Sequence, residues 1–554
     1  MRAPASAMVP ASVADRQRHR AEGHRPAGRR TSGAGRTPGS LLNHRVFPVD
    51  PYDSPVERID PDELAIAIKV LRQIPELHPD HEDVRTMKRA ASYMYKLIKK
   101  SRRAEIRQER QRHDQEIIER TATGSPMRID DETAGIPLVS TAKGAFAGEL
   151  ITARGCYICK EDFTLVDAFY HWLCPRCAAM SHAKRDQRTD LTGKRALLTG
   201  GRAKIGMYIA LRLLRDGAHT TITTRFPKDA VRRFAAMEDS ADWLHRLKVV
   251  GIDLRDPTQV ISLTDDVAAD GPLDIIINNA CQTVRRLPGA YSHLIDGENT
   301  ALPSAESLGV KALPEMVTFD RISEAHPAAI AGALADTAVA HHEGESAEAA
   351  LAAHNAASLT ALSLKAGGAS LEAHLAGTAI DAGGLIPDIQ DNNSWTQVLD
   401  EVDPLELLEV QFCNSIAPFL INSRLRPALR AAVQNGARRA YIVNVSAMEG
   451  QFSRRYKGAG HPHTNMAKAA LNMMTRTSSG EMFETDRILM TAVDTGWITD
   501  ERPHYEKLRI AAEGWHAPLD LVDGAARVYD PIVRGEAGED IYGVFVKDYE
   551  PSPW

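Results

Sequence analysis

The chain has 554 residues, 43% of them hydrophobic, which is ordinary for a globular protein and long enough for several domains. A formal net charge of -6 argues against a protein that seeks nucleic acid in general. No run approaches the ~18 apolar residues of a membrane span, and the N-terminus lacks the apolar core of a secretory signal. Six cysteines in so long a chain do not form a disulfide framework, and a reducing cytoplasmic setting follows.

Residues 1–45 carry nine arginines against Asp15 and Glu22, with almost no large apolar side chains. Such a segment buries too little surface to offset the entropy of ordering, so a disordered basic tail is expected. Residues 46–150 read as a helical arm and linker. Asp60 is placed to cap a helix that Pro61 opens, with Leu64, Ala67, Ile68 and Leu71 on one face and Pro75 as its stop. A longer helix is expected from about His81 to Arg120. Its first half carries Val84, Met87, Ala91 and Met94, and its second half is charged, as solvated helix faces are.

Cys156-Tyr157-Ile158-Cys159 and Cys174-Pro175-Arg176-Cys177 stand fourteen residues apart. Each CxxC pair can place two thiolates on one ion, and two pairs complete the tetrahedral coordination that zinc prefers. A closed four-cysteine site leaves no position open to substrate, so residues 151–185 read as a small zinc-ribbon-like module with a structural metal. His171 and Trp172 read as packing residues rather than ligands.

From Leu191 the pattern becomes strand, helix, strand. Ala196 to Leu198 is an apolar strand ending in Thr199-Gly200-Gly201-Arg202-Ala203-Lys204-Ile205-Gly206, and an amphipathic segment follows at once. A glycine turn between a strand and a helix start lets a pyrophosphate approach free N–H groups and the positive end of a helix. Strands are expected at His219–Thr224, 247–252, 274–277, 440–445, 488–493 and 541–546. The fold expected is α/β, a doubly wound parallel sheet of the Rossmann kind built from 186–290 and 391–554. Arg225 ends the second strand, where an acidic residue binds the ribose of NAD and an arginine accommodates the 2′-phosphate of NADP. Residues 291–390 turn alanine-rich and read as an insertion.

The TGxxxxIG turn, Asp253-Leu254 after the third strand and Asn278-Asn279-Ala280 after the fourth are similar to the short-chain dehydrogenase/reductase family. That resemblance implies pyrophosphate binding at Thr199, Gly200, Arg202, Lys204, Ile205 and Gly206. It also implies an adenine contact at Asp253 and Leu254, and support of the sheet beside the cofactor by Asn279 and Ala280. Lys204 stands where the family has a glycine, so that its backbone is either strained or diverted from a left-handed conformation; a charge contact to the cofactor phosphates is open to it. On the helix that Asp403-Pro404 opens, Asn414 takes the place of the family's asparagine. Ser446 ends the fifth strand in the place of the family's serine. Thr464 to Lys468 resembles the YxxxK helix with threonine for tyrosine, and positions i and i+4 share a face.

Lys468 is then expected to bind the nicotinamide ribose, while a threonine hydroxyl cannot act as the family's tyrosine does. His463, His461 and Tyr456 are the candidate replacements, and His463 is taken as the general acid. Asp494-Thr495-Gly496-Trp497-Ile498-Thr499 resembles the family's PGxxxT loop, placing Gly496 and Thr499 at the nicotinamide carboxamide. The reading that follows is an NADP(H)-dependent oxidoreductase, with NAD(H) as the other cofactor, acting on a small carbonyl or alcohol substrate as a homo-oligomer. The alternative is a dinucleotide-binding scaffold or sensor without turnover.

Overall fold

The computed structural model describes residues 59–128, 138–286, 288–319, 322–330, 385, 392–454, 457–499 and 501–554. The basic tail, Tyr456 and most of the alanine-rich stretch, 331–384 and 386–391, lie outside the described residues.

Helix α1, Pro61–Gln73, starts as its sequence requires: the Asp60 carboxylate accepts from the Asp62 and Glu63 N–H groups. Helix α2, Glu82–Glu119, is 38 residues long. Only its last turns are buried, at Ile117 and Ile118. These pack with β1 (Phe146–Gly155), β2 (Asp162–Asp167) and helix α3 (Pro175–Arg185), the elements that hold the four cysteines.

The large sheet comprises β3 (Arg195–Leu198), β4 (His219–Thr224), β5 (Leu247–Gly251), β6 (Ile275–Asn278), β7 (Glu315–Thr318), β8 (Ala440–Ser446), β9 (Ile488–Asp494), β10 (Phe545–Lys547) and β11 (Glu550–Ser552). Their order is β11-β10-β9-β8-β6-β3-β4-β5-β7, and every pairing is parallel except β10 with β11. A parallel sheet covered on both sides needs strands that are apolar on both sides. Ala196, Leu198, Ile275 and Ile277 enter one core with helices α4 (Lys204–Arg215) and α5 (Pro227–Ala235), while Leu197 and Ile276 enter the other with α6 (Pro257–Ala269). Alternation along each strand thus divides a continuous apolar run between two layers.

The insertion does not leave the sheet at once. Helix α7, Ser292–Asn299, lies against α5, and β7 pairs in register with β5, Val250 opposite Val317. The sequence gives no sign of this strand because an edge position demands no apolar run; three of its four residues are exposed. The strand expected at 541–546 is also shorter, β10 beginning at Phe545 rather than Ile541, and β11 follows it where no strand was expected.

The helix opened by Asp403 runs as α8 (Pro404–Gln411), a π-helical turn (Phe412–Ile416) and α9 (Ala417–Gln434). After β8 comes α10, Pro462–Asp486, and after β9 come α11, His504–Ala512, and α12, Leu521–Glu536. Helix α3 is anchored to the start of α12: Arg185 forks onto the Asp520 carboxylate at 2.6 and 3.0 Å, and the Tyr170 hydroxyl donates to Asp523 at 2.6 Å. The cysteine module is thereby fixed to the same helix layer that covers β3.

Candidate dinucleotide and reactive site

The carboxyl ends of β3, β6 and β8, where open α/β sheets place their sites, carry most of the candidates. At the glycine turn, the Thr199 hydroxyl accepts from the Asn279 and Ala280 N–H groups, both at 3.0 Å. The Asn279 amide donates to the Thr199 and Gly200 carbonyls at 3.1 and 3.2 Å. Gly200 has φ +69°, and a Cβ there would stand 2.9 Å from the Ala280 Cα; a Cβ on Gly206 would stand 2.0 Å from the Gly200 carbonyl oxygen. Both glycines are therefore demanded by close packing of turn on turn. Lys204 adopts φ +51°, so the left-handed conformation is kept without a glycine, at a cost of order 1 kcal/mol. Ile205 packs into the core behind it, and Arg202 pairs with Asp229 beneath.

At the next strand ends the inserted segment meets the sheet. The Arg225 guanidinium lies over the Tyr291 ring, 4.9 Å from its centre, and Tyr291 stacks on Phe226. Asp253 is held by Arg255 at 2.6 Å and by His326 at 3.3 Å. Burial alone would raise the Asp253 carboxyl, but the Arg255 guanidinium and the hydrogen bond from His326 keep it well below the usual carboxylate range. Arg255 also reaches Glu409 on α8 at 2.7 Å, and Leu254 is buried beside it. Tyr291 and His326 were beyond sequence reasoning because they sit in a stretch without a motif, far from their partners along the chain.

Asn414 falls in the middle of the π-helical turn and is 1% exposed. Its amide exchanges two hydrogen bonds of 2.8 Å with the backbone of Gln282, which ties α8–α9 to the segment after Asn279-Ala280. Single π-turns occur often at functional positions, where they re-aim a side chain. Lys468 on α10 is 5% exposed and donates to the Val445 carbonyl at 2.8 Å. The Ser446 hydroxyl is also buried, donating to Asn472 at 2.5 Å. Thr464, one turn before Lys468, points its hydroxyl at the Thr283 carbonyl 3.5 Å away. Helix α10 thus gathers Lys468, Thr464 and Asn472 on one side, as i, i+4 spacing requires.

His463 is 1% exposed, and neither ring nitrogen has a hydrogen-bond partner among the described residues. Burial, with a smaller contribution from His461, lowers its pKa to about 4, so the imidazole rests neutral near pH 7. His461 itself caps α10 in a left-handed conformation, stacks on Trp395 and hydrogen-bonds its carbonyl at 2.9 Å. Lys204 and His461, both non-glycine residues with positive φ, stand at the starts of the two helices that frame this region.

Beyond β9, Gly496 (φ +81°) turns the loop that carries Trp497, Ile498 and the half-buried Thr499. The four cysteine sulfurs lie within 4.8 Å of one another, with Cys159 and Cys174 at 3.7 Å. Four thiolates at ~2.3 Å from one tetrahedral zinc stand about 3.8 Å apart, so Cys156, Cys159, Cys174 and Cys177 fit such an ion. The Cys174 N–H points at the Cys156 sulfur, 3.3 Å away, as backbone does around a thiolate site.

Sheet order, glycine turn and strand-end residues define a dinucleotide-fold protein. Residues 194–293 match the family described as short chain dehydrogenase. An uncharacterised protein of Acanthamoeba polyphaga mimivirus is 28% identical over 411 residues, 71% of this chain and 74% of that one. A probable oxidoreductase of Streptomyces antibioticus is 39% identical over 94 residues, and this chain spans 30% of its length. Among solved structures, NADPH-bound carbonyl reductase from chicken fatty liver aligns over 66% of this chain and 100% of its own, at 17% identity and a TM-score of 0.37. No helix among the described residues is long and apolar enough to cross a membrane.

Proposed function

We propose that this chain is an NADP(H)-dependent oxidoreductase acting on a small carbonyl or alcohol. The observation that carries the reading is the turn in which Gly200 and Gly206 admit no Cβ at the start of α4, and a helix start reached through such a turn favours an anion. When bound, the dinucleotide supplies or takes the hydride. The turn, with Arg202, Lys204 and Ile205, holds the pyrophosphate. Arg225, propped on Tyr291, meets the 2′-phosphate, and NAD(H) is the cofactor if that contact is unused. Asp253 and Leu254 border the adenine, and Asn279 and Ala280 brace the turn from β6. Lys468 orients the nicotinamide ribose, and Gly496 and Thr499 the carboxamide.

The proton has a separate carrier. His463, neutral and buried with both nitrogens unpartnered among the described residues, exchanges a proton with the substrate oxygen in this reading. In its resting form it takes one from an alcohol, and it serves as the acid only after protonation. Thr464 orients that oxygen, Asn414 holds the α8–α9 turn against Gln282, and Ser446 steadies α10 through Asn472. The four cysteines hold a structural zinc.

A second reading, a dinucleotide-binding scaffold or sensor without turnover, is favoured by the Ser446 hydroxyl being committed to Asn472 and by threonine at position 464. Titration with NADPH, followed by a carbonyl screen read as loss of nicotinamide absorbance, decides between them. Turnover that falls about 100-fold or more in Lys468→Ala and His463→Ala supports the enzyme. Binding without turnover leaves the scaffold, and no binding of either nicotinamide dinucleotide removes both.

A further inference from the structure

The loop after β9 is held from outside the sheet. Tyr157 lies between the first two cysteines, and its hydroxyl accepts the Trp497 N–H at 2.9 Å. Its backbone N–H donates to the Trp172 carbonyl at 2.8 Å, so the knuckle and the Trp172 segment fix where the phenol points. One residue on, the Ile498 carbonyl accepts from the buried Arg128 guanidinium at 3.3 Å. The same guanidinium binds the Ala517 and Leu519 carbonyls at 2.7 and 2.6 Å. The Ile498 side chain packs in one core with Cys156, Cys174, Cys177, Tyr170 and Leu173. Gly496 has no room for a side chain, since a Cβ would stand 2.5 Å from Leu519 and 3.6 Å from the Tyr157 hydroxyl. Two consecutive residues of the loop, then, take their backbone positions from Tyr157 and Arg128 rather than from β9.

Resting on the cofactor reading above, we propose that Tyr157 is a positioning residue for the nicotinamide end of the dinucleotide, through which the four-cysteine module sets the loop that carries Gly496 and Thr499. A hydroxyl that fixes an amide one residue after Gly496 and two before Thr499 selects one loop conformation out of the several open to a glycine-hinged segment. It pre-orders the binding surface before the ligand arrives. The adenosine end, built on Arg225 and Asp253 at the ends of β4 and β5, is not touched by this contact.

That asymmetry gives the test. Tyr157→Phe removes one oxygen and keeps the ring. Two ligands are titrated against wild type and variant: NADPH, followed by energy transfer from tryptophan to nicotinamide, and adenosine 2′,5′-bisphosphate, which lacks the nicotinamide, followed by calorimetry. Zinc content is measured alongside. The expected result is NADPH binding weaker by about tenfold, the scale of one lost hydrogen bond, with bisphosphate affinity and zinc content unchanged. Equal loss for both ligands, a fall in zinc content, or no loss for either overturns the proposal. Failure of wild type to bind either ligand overturns the cofactor reading itself, and is seen before any variant is made.

Discussion

Gly206 shows how one hydrogen atom in place of a methyl group decides the site. A Cβ there would overlap the Gly200 carbonyl oxygen at 2.0 Å and crowd the Asn279 side-chain amide at 2.7 Å; the first is backbone, and the second is held by hydrogen bonds to the Thr199 and Gly200 carbonyls. Gly206→Ala should destabilise the fold by about 1–3 kcal/mol and weaken NADPH binding by about 100-fold or more, checked by denaturant unfolding and by titration. Part of this scale was legible in the sequence: the glycines and Arg225 fall at the strand ends where the strand and turn pattern set them, and Asn414 and Lys468 fall in the helical segments where the family resemblance set them. The left-handed Lys204 was legible as a dilemma, and the structure resolves it toward strain. Tyr157, Arg128, Asn472 and Gln282 were not legible. Each acts on a partner brought near only by the fold, Tyr157 on Trp497 and Arg128 on Leu519, and no local pattern marks such pairs. The chemical state of His463 was also hidden, because a histidine's pKa is set by burial that the sequence does not print.

Among elements, most strands of the sheet were readable because a doubly covered strand must be apolar on both sides, while β4 falls on the expected residues, His219–Thr224, because its threonines and Ile222 are β-branched. Strand β7 was not readable, since an edge strand is excused from that rule. The π-turn at Phe412–Ile416 was hidden inside a helix pattern whose periodicity it barely disturbs. The cysteine module was fully spelled out by its spacing, yet its attachment was not. Its core contains Ile498 and Leu519 from the loops beyond β9, and Arg185 on α3 and Tyr170 in the segment before it are pinned to the start of α12. If the four cysteines hold the proposed zinc, losing it should be felt in the dinucleotide fold. Cys174→Ser, or removal of metal by a strong chelator, should reduce zinc from about one ion per chain to a small fraction and lower Tm by several degrees, read by elemental analysis and calorimetry. An unchanged Tm with zinc gone would mean that the module stands apart energetically.

For the molecule as a whole, three of the histidines buried among the described residues set a response to acid. His171, His463 and His516 are each about 2% exposed or less, and burial is the first cause of the lowered pKa in each, with His463 and His516 near 4. In the unfolded chain such a group titrates near 6.5, so between about pH 6.5 and 4 the unfolded state binds more protons and stability falls as pH falls. The contribution is intact above pH 6.5. Carboxyls raised by burial, Asp494 and Asp523 among them, work in the opposite sense, so a comparison isolates one histidine. His463→Gln should lose less stability than wild type on going from pH 7.5 to 5, by about 2 kcal/mol, measured by urea unfolding at each pH. Parallel slopes would contradict the buried neutral imidazole.

The two ends of the large sheet have a bearing on how copies of the chain can meet. At one end stands β7, four residues long and beginning with Glu315; at the other stands β11, three residues long, antiparallel and interrupted by Pro551, which has no N–H to offer. Neither margin presents a run of open backbone groups long enough to template a further strand. Among the described residues, the margins of the large sheet thus offer copies of the chain no long edge to join.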